Sequence, residues 1–240
     1  MSDPSVQTVR VNFARSFPVF PLARVSLLPH AVLPLFIFEK RYRQMVEHVL
    51  DTHGQIAMAV FRGDEYRYNY ENSPAIQPAV CIGQITQHER REDGTYRIML
   101  HGVCRARVMD ELAPDDEHLY RRAVLRPIEK DDHDESLVRV RRDVLEHLKS
   151  KPLADTGGAK RVLSALDERP DLPTPAILEL ITLGVVAPID EGDTLYRLLE
   201  EGDAAQRARI IKQTLRGYEH LLGKAVEQYD PDAPKGVSWN

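Results

Sequence analysis

Ser150-Lys151 is the pair in this sequence that comes nearest to covalent chemistry. A serine activated by an amine needs both side chains brought together in a dry site. Neighbours at a helix end do not supply that geometry. Cys81 and Cys104 are the thiol candidates. A thiol becomes a nucleophile beside a base or a cation. His101 lies near Cys104, but strand alternation puts residues three apart on opposite faces. Two small buried strand residues is the plainer reading, since free Cys is among the most buried types. The nine histidines are scattered, with no H-x-x-x-H and no C-x-x-C. Asp131, Asp132, His133, Asp134 and Glu135 could attract a weak cation, yet such runs read as solvated linkers. Gly157-Gly158-Ala159-Lys160-Arg161 lacks the glycine spacing and the Ser/Thr of a phosphate-binding loop. The expectation is a chain with no catalytic residue, no cofactor and no metal.

Binding chemistry has more to draw on. Arg90, Arg91, Arg97, Arg105, Arg107, Arg121 and Arg122 fall in the N-terminal half. Alternation puts Arg105 and Arg107 on one strand face, which would suit RNA. The bland alternative is a solvated face paired with Glu89, Glu92 and Asp93. A net charge of −5 and a pI near 6.0 favour the bland reading and argue against nucleic acid as the main partner. Phe36, Phe38, Tyr42 and Met45 could line a groove, but such a set at helical spacing more often faces a core. Phe38 and Tyr42 are therefore expected inside. The exposed peptide-binding candidates are Leu27, Leu28 and His30 in one turn and Tyr66, Tyr68 and Tyr70 on a possible strand arm.

These residues need positioning. Pro18 and Pro21 force an extended segment from Phe17 to Leu22. Val32 to Ile37 is extended too, and its Pro34 points to an edge or a bulge. Helical spacing of Phe38, Tyr42, Met45, Val46, Val49 and Leu50 predicts a helix from about Glu39 to Asp51. Strands are expected over Ile56–Phe61 and Val80–Gln87. A hairpin at Asp93-Gly94 returns through Thr95–His101. Gly102 is expected to break that strand before Val103–Met109, and Leu119–Pro127 closes the series. From Asp134 onward the period is helical, with starts near Asp134, Gly158, Thr174-Pro175, Asp193 and Asp203.

Composition separates the same halves. Residues 1–127 carry 16 basic against 15 acidic side chains, net +1; residues 128–240 carry 16 against 22, net −6. All six Phe precede residue 62. The longest apolar stretch, Ala31 to Phe38, contains Pro34 and is far short of the roughly 20 residues a membrane span needs. No secretory signal is visible, so no membrane partner is expected and the cytoplasm is the expected compartment.

Phe17-Pro18-Val19-Phe20-Pro21-Leu22, Leu28-Pro29 and Leu33-Pro34-Leu35-Phe36-Ile37-Phe38-Glu39-Lys40-Arg41-Tyr42 resemble the N-terminal substrate-binding domain of Lon proteases, whose wording is close to FPL…LFPG…LPLHIFEPRY. Gly83-Gln84-Ile85, Asp93 to Ile98, Gly102 to Val108, and Leu198-Leu199-Glu200…Asp203…Arg207 continue the likeness. It covers roughly Phe13 to Leu222. Two positions depart from it: His30 stands where the family has Gly, and Lys40 where it has Pro. The resemblance implies an α+β fold, with a PUA-like pseudo β-barrel lobe over 13–127 and a helical bundle over 134–225. It also implies a stand-alone bacterial-type protein without ATPase or peptidase parts. Its work would be non-enzymatic recognition of polypeptide segments or a partner protein. A PUA-like RNA binder is the alternative.

Overall fold

A computed structural model of the chain describes residues 9–129, 134–190 and 192–227. Its β-rich part is built from six strands: β1 (Ser16–Leu22), β2 (Val32–Ile37), β3 (Gln55–Val60), β4 (Ala79–Arg90), β5 (Tyr96–Leu112) and β6 (Arg122–Pro127). Sheet order is β2-β5-β4-β3-β1-β6, with β6 also bonded to β5. Five strands thereby close on themselves as a pseudo-barrel. β1 and β3 are parallel and the other pairs antiparallel.

β5 is the long spine. One of its edges bonds β4 from Arg107 to Tyr96. Its other edge is shared: Tyr96 to His101 pair with β2, and Ala106 to Leu112 pair with β6. β2 therefore branches off the closed barrel and, among the described residues, has a single sheet neighbour. Gly102 does not break β5, contrary to expectation. The register there slips by one residue, opposing Gly83 and Ile82 to Gly102 and Cys104, so Val103 is the extra residue of a bulge. Glycine is needed because a Cβ at 102 would overlap the Leu28 carbonyl oxygen.

Phe17, Val19, Ala57, Ala59, Phe61, Ile76, Val80, Ile82, Ala106, Ala123 and Leu125 fill the barrel. Every residue of β3 is buried, as expected of an apolar strand covered on both sides. Helix α1 (Lys40–Leu50) buries Tyr42, Met45, Val46 and Val49. The Tyr42 ring meets Phe20 edge-to-face at 4.6 Å. Lys40 occupies the first helical position, where Pro is at home, so both residue types suit one geometry.

The remaining helices are α2 (Asp134–Leu148), α3 (Gly157–Glu168), α4 (Thr174–Ile181), α5 (Asp193–Glu200) and α6 (Ala204–Glu227). One compact unit contains β1–β6, α1 and α5; the other contains α2, α3, α4 and α6. α5 thus packs beside β4 and β5, although its sequence position lies within the 134–225 range. In the helical unit, Gly158 allows close packing, since a Cβ there would press on the Gly184 carbonyl. Arg207 and Glu179 form a buried ion pair at 3.7 Å.

Candidate functional site

The catalytic candidates do not assemble. Ser150 Oγ lies 2.7 Å from the His147 carbonyl and 3.2 Å from Glu219 Oε1, while the Lys151 ammonium is exposed beside Asp155. His147 Nε2 is 3.1 Å from the other Glu219 oxygen. The carboxylate thus sits between hydroxyl and imidazole, so the imidazole is not placed to take the serine proton. Burial pushes the Cys104 thiol up to about 12 and raises the Cys81 thiol as well. Both are thiols held protonated, the reverse of an activated nucleophile. Gly157 to Arg161 open helix α3 behind a Thr156 cap. Among the described residues no group of His, Cys, Asp and Glu could hold a metal ion. Most of the acidic run at 131–135 lies outside them.

Two of the seven arginines are buried, while Arg90, Arg91, Arg97 and Arg107 are exposed. Arg105 is only 1% exposed. Its guanidinium donates to the Leu198 carbonyl (3.0 Å) in the last turn of α5 and to Glu129 Oε1 (3.0 Å). Arg121 is buried and donates to the Pro74 carbonyl and Glu111. Arg107 stays exposed. Expecting Arg105 and Arg107 to form one solvated face fails because α5 covers the first of them. An RNA surface built on that pair loses half of it.

The predicted binding residues scatter. Leu27 and Leu28 are 2% and 1% exposed; they are core, and their expected exposure is corrected. His30 is exposed, with φ of +66°. His30 N–H bonds the Gly102 carbonyl and Gly102 N–H bonds the Ala31 carbonyl, both at 2.8 Å. This is a bulge whose first position favours Gly, held here by His. Tyr66, Tyr68 and Tyr70 do not form a strand arm. They fall on two 3-10 turns, Glu65–Arg67 and Tyr70–Asn72, and the link between them. Tyr66 stacks on Phe61 at 5.1 Å. Tyr70 donates to Glu39 Oε1 at 2.7 Å and lies under the Arg41 guanidinium at 4.5 Å. Only Tyr68 of the three is largely exposed, at 82%.

What the structure does bring together is an apolar row on β2. Val32 is 55% exposed and Phe36 49%, with Pro34 exposed between them. Phe38, expected in the core, is 62% exposed and its ring lies 6.1 Å from that of Phe36. Register places Met99 opposite Pro34 and Arg97 opposite Phe36. A groove of about 440 Å³ lies along this face, lined by Pro34, Leu35, Phe36 and Met99, with Gln87, Glu89 and Arg97 among its polar groups. Sequence reasoning weighed Phe36 and Phe38 as groove residues but preferred the core for Phe38, and it did not mark Val32 or Pro34. The signal it did carry is Pro34, which points to an edge strand.

The fold is shared with solved N-terminal domains. The N-terminal domain of Mycobacterium avium complex Lon protease superposes with a TM-score of 0.63 at 17% identity, covering 84% of this chain and 98% of that one. A Lon N-terminal domain protein from Xanthomonas campestris gives 0.52 at 21% identity, covering 87% and 98%. In sequence, Lon protease of Azorhizobium caulinodans is 29% identical over 105 residues, 40% of this chain and 11% of the relative. Lon protease of Escherichia coli K12 is 28% identical over 109 residues, 44% and 13%. The aligned part thus spans about an eighth of these relatives' own length. Among the described residues no helix is long and apolar enough to cross a membrane. Residues 16–216 match the ATP-dependent protease La (LON) substrate-binding domain, and the chain belongs to that family.

Proposed function

We infer that this chain is a polypeptide-recognition module that works by binding and not by catalysis. Family membership supplies the class, since the matching family is a substrate-binding domain. The observation that carries the reading here is the exposed row Val32, Pro34, Phe36 and Phe38 beside a groove. Large apolar side chains grouped on a surface mark interaction sites, and aromatics supply much of the energy at such sites. The candidate nucleophiles support a non-enzymatic role, being either capped by neighbours or held protonated. The recognised class is polypeptide with exposed apolar segments.

The test uses the full chain with a photo-crosslinking residue at Phe38 and an unfolded probe, reduced and carboxymethylated α-lactalbumin. Crosslinks are expected with the unfolded probe and not with the folded one. Phe36→Ser should weaken capture by about tenfold while changing stability little, because Phe36 is half exposed. Capture that ignores both Phe36→Ser and the probe's folding state would refute the reading.

A further inference from the structure

We propose that β2 takes its guest as an added strand: an extended, uncharged polypeptide segment with apolar side chains at alternating positions, bonded backbone to backbone. The proposal rests on the recognition reading above and specifies its geometry.

The first support is the open edge. Among the described residues β2 bonds only β5 in the sheet. The Gly102 N–H to Ala31 carbonyl bond sets the phase of the antiparallel ladder, in which bonded and non-bonded pairs alternate. Leu33, Leu35 and Ile37 then face β5 with their backbone groups. Val32, Pro34 and Phe36 turn theirs to the open side. Pro34 has no N–H, so the edge offers donors at Val32 and Phe36 and acceptors at all three. A guest strand would find two donors with a gap between them.

The second support is that both faces of β2 are unfinished. Val32, Pro34 and Phe36 are exposed on one face. Leu33 and Leu35 remain half-buried on the other. A helix or a flat surface laid on one face would leave the opposite one wet. A strand continuing the sheet in plane sends alternate side chains to both faces and covers both rows at once. This is the β-augmentation mode of peptide recognition.

The third support is charge. From Ala31 to Phe38 the strand carries no ionisable side chain. The ionisable groups nearby belong to the neighbouring strands, Arg97 opposite Phe36 and His88 and Glu89 one strand further, and to His30 and Glu39 beyond the strand ends. A charged guest side chain over the strand centre would lose water without gaining a partner, so the matching guest is uncharged along the paired stretch.

The experiment measures binding of the full chain to a short fluorescent peptide amide in which Thr alternates with Leu or Phe. A matched set carries one backbone N-methyl group at each successive position. Strand addition predicts a period of two: methylation at every second position weakens binding by about tenfold, the loss of one backbone bond, and intervening positions change it little. Binding that persists with no such period overturns strand addition and leaves recognition standing. Failure of every peptide, while the unfolded-protein crosslink at Phe38 is retained, overturns strand addition too. Loss of peptide and crosslink together removes the recognition reading. Concentration-dependent self-association that protects the Val32 and Phe36 amides would make a second copy the occupant and also overturn the proposal.

Discussion

Arg105 shows how far a residue's role depends on what lies over it. Its alternation with Arg107 is legible in sequence and correct as geometry. Yet one guanidinium is sealed beneath the end of α5 and the other is in water. A guanidinium at a helix C-terminus satisfies an orphan carbonyl and meets the negative end of the dipole. The cysteines are legible in the opposite sense, as small strand residues, although only Cys81 is fully buried and Cys104 is half-buried. Because burial raises both thiols, the folded state holds their protons more tightly than the unfolded chain does. That contribution to stability is whole below the unfolded value of about 8.5. It is lost as pH rises from there toward the folded value, about 12 for Cys104. Labelling of the native protein with a thiol reagent at pH 8 should therefore run on the order of a thousandfold slower than labelling of free cysteine. A rate near that of free cysteine would show that one thiol is activated and would reopen a catalytic reading.

At the scale of elements, β2 is the piece whose context matters most. Pro34 costs no ladder bond because its position faces the open edge. It also denies that edge one donor, a common guard against edge-to-edge pairing. Pro34→Val would restore the N–H on a flat, uncharged, apolar strand. The expected result is concentration-dependent association at concentrations where the parent chain sediments as one species, read by analytical ultracentrifugation. An unchanged sedimentation profile would mean Pro34 is no guard. The first helix, the strands and the Asp93-Gly94 turn were legible because periodicity and turn chemistry are local. The tyrosine segment departs from the expected strand because three residues at alternate positions are too short a pattern to fix a period, and the backbone folds into two 3-10 turns. There Tyr66 and Tyr70 both pack on Phe61, Tyr70 also meets Glu39 and Arg41, and Tyr68 points to water.

For the whole molecule, α5 is the decisive placement. It follows the first bundle helices in sequence but packs with the barrel. Gly202 then passes so close to Ile128 that a Cβ would overlap its carbonyl oxygen. The Tyr196 hydroxyl accepts the Ala79 N–H at 3.0 Å. A fragment of residues 1–127 would lack Leu198, Tyr196 and Glu129. Without α5 the Arg105 guanidinium would pass into water, the Ala79 N–H would lose its Tyr196 acceptor, and the apolar cover that Leu198 and Leu199 give the unit would be gone. The barrel in that fragment should be less stable than in the full chain, by on the order of 3 kcal/mol for the lost leucine burial, read by hydrogen exchange of the β3 amides. Equal protection in the two would show that α5 is not needed to complete the unit.

Sequence motifs by themselves pointed to the family and, through that resemblance, to the α+β class; most of the elements were legible because proline positions, helical periods and an Asp-Gly turn act through neighbours along the chain. The sequence also carried the clue that β2 is an edge strand. Only the tertiary structure decided which apolar residues face water. Leu27 and Leu28 are covered by long-range packing, whereas Phe36 and Phe38 sit where β2 leaves the barrel and no further strand follows among the described residues. Exposure is settled by contacts distant in sequence, and a pattern of residue types does not contain them.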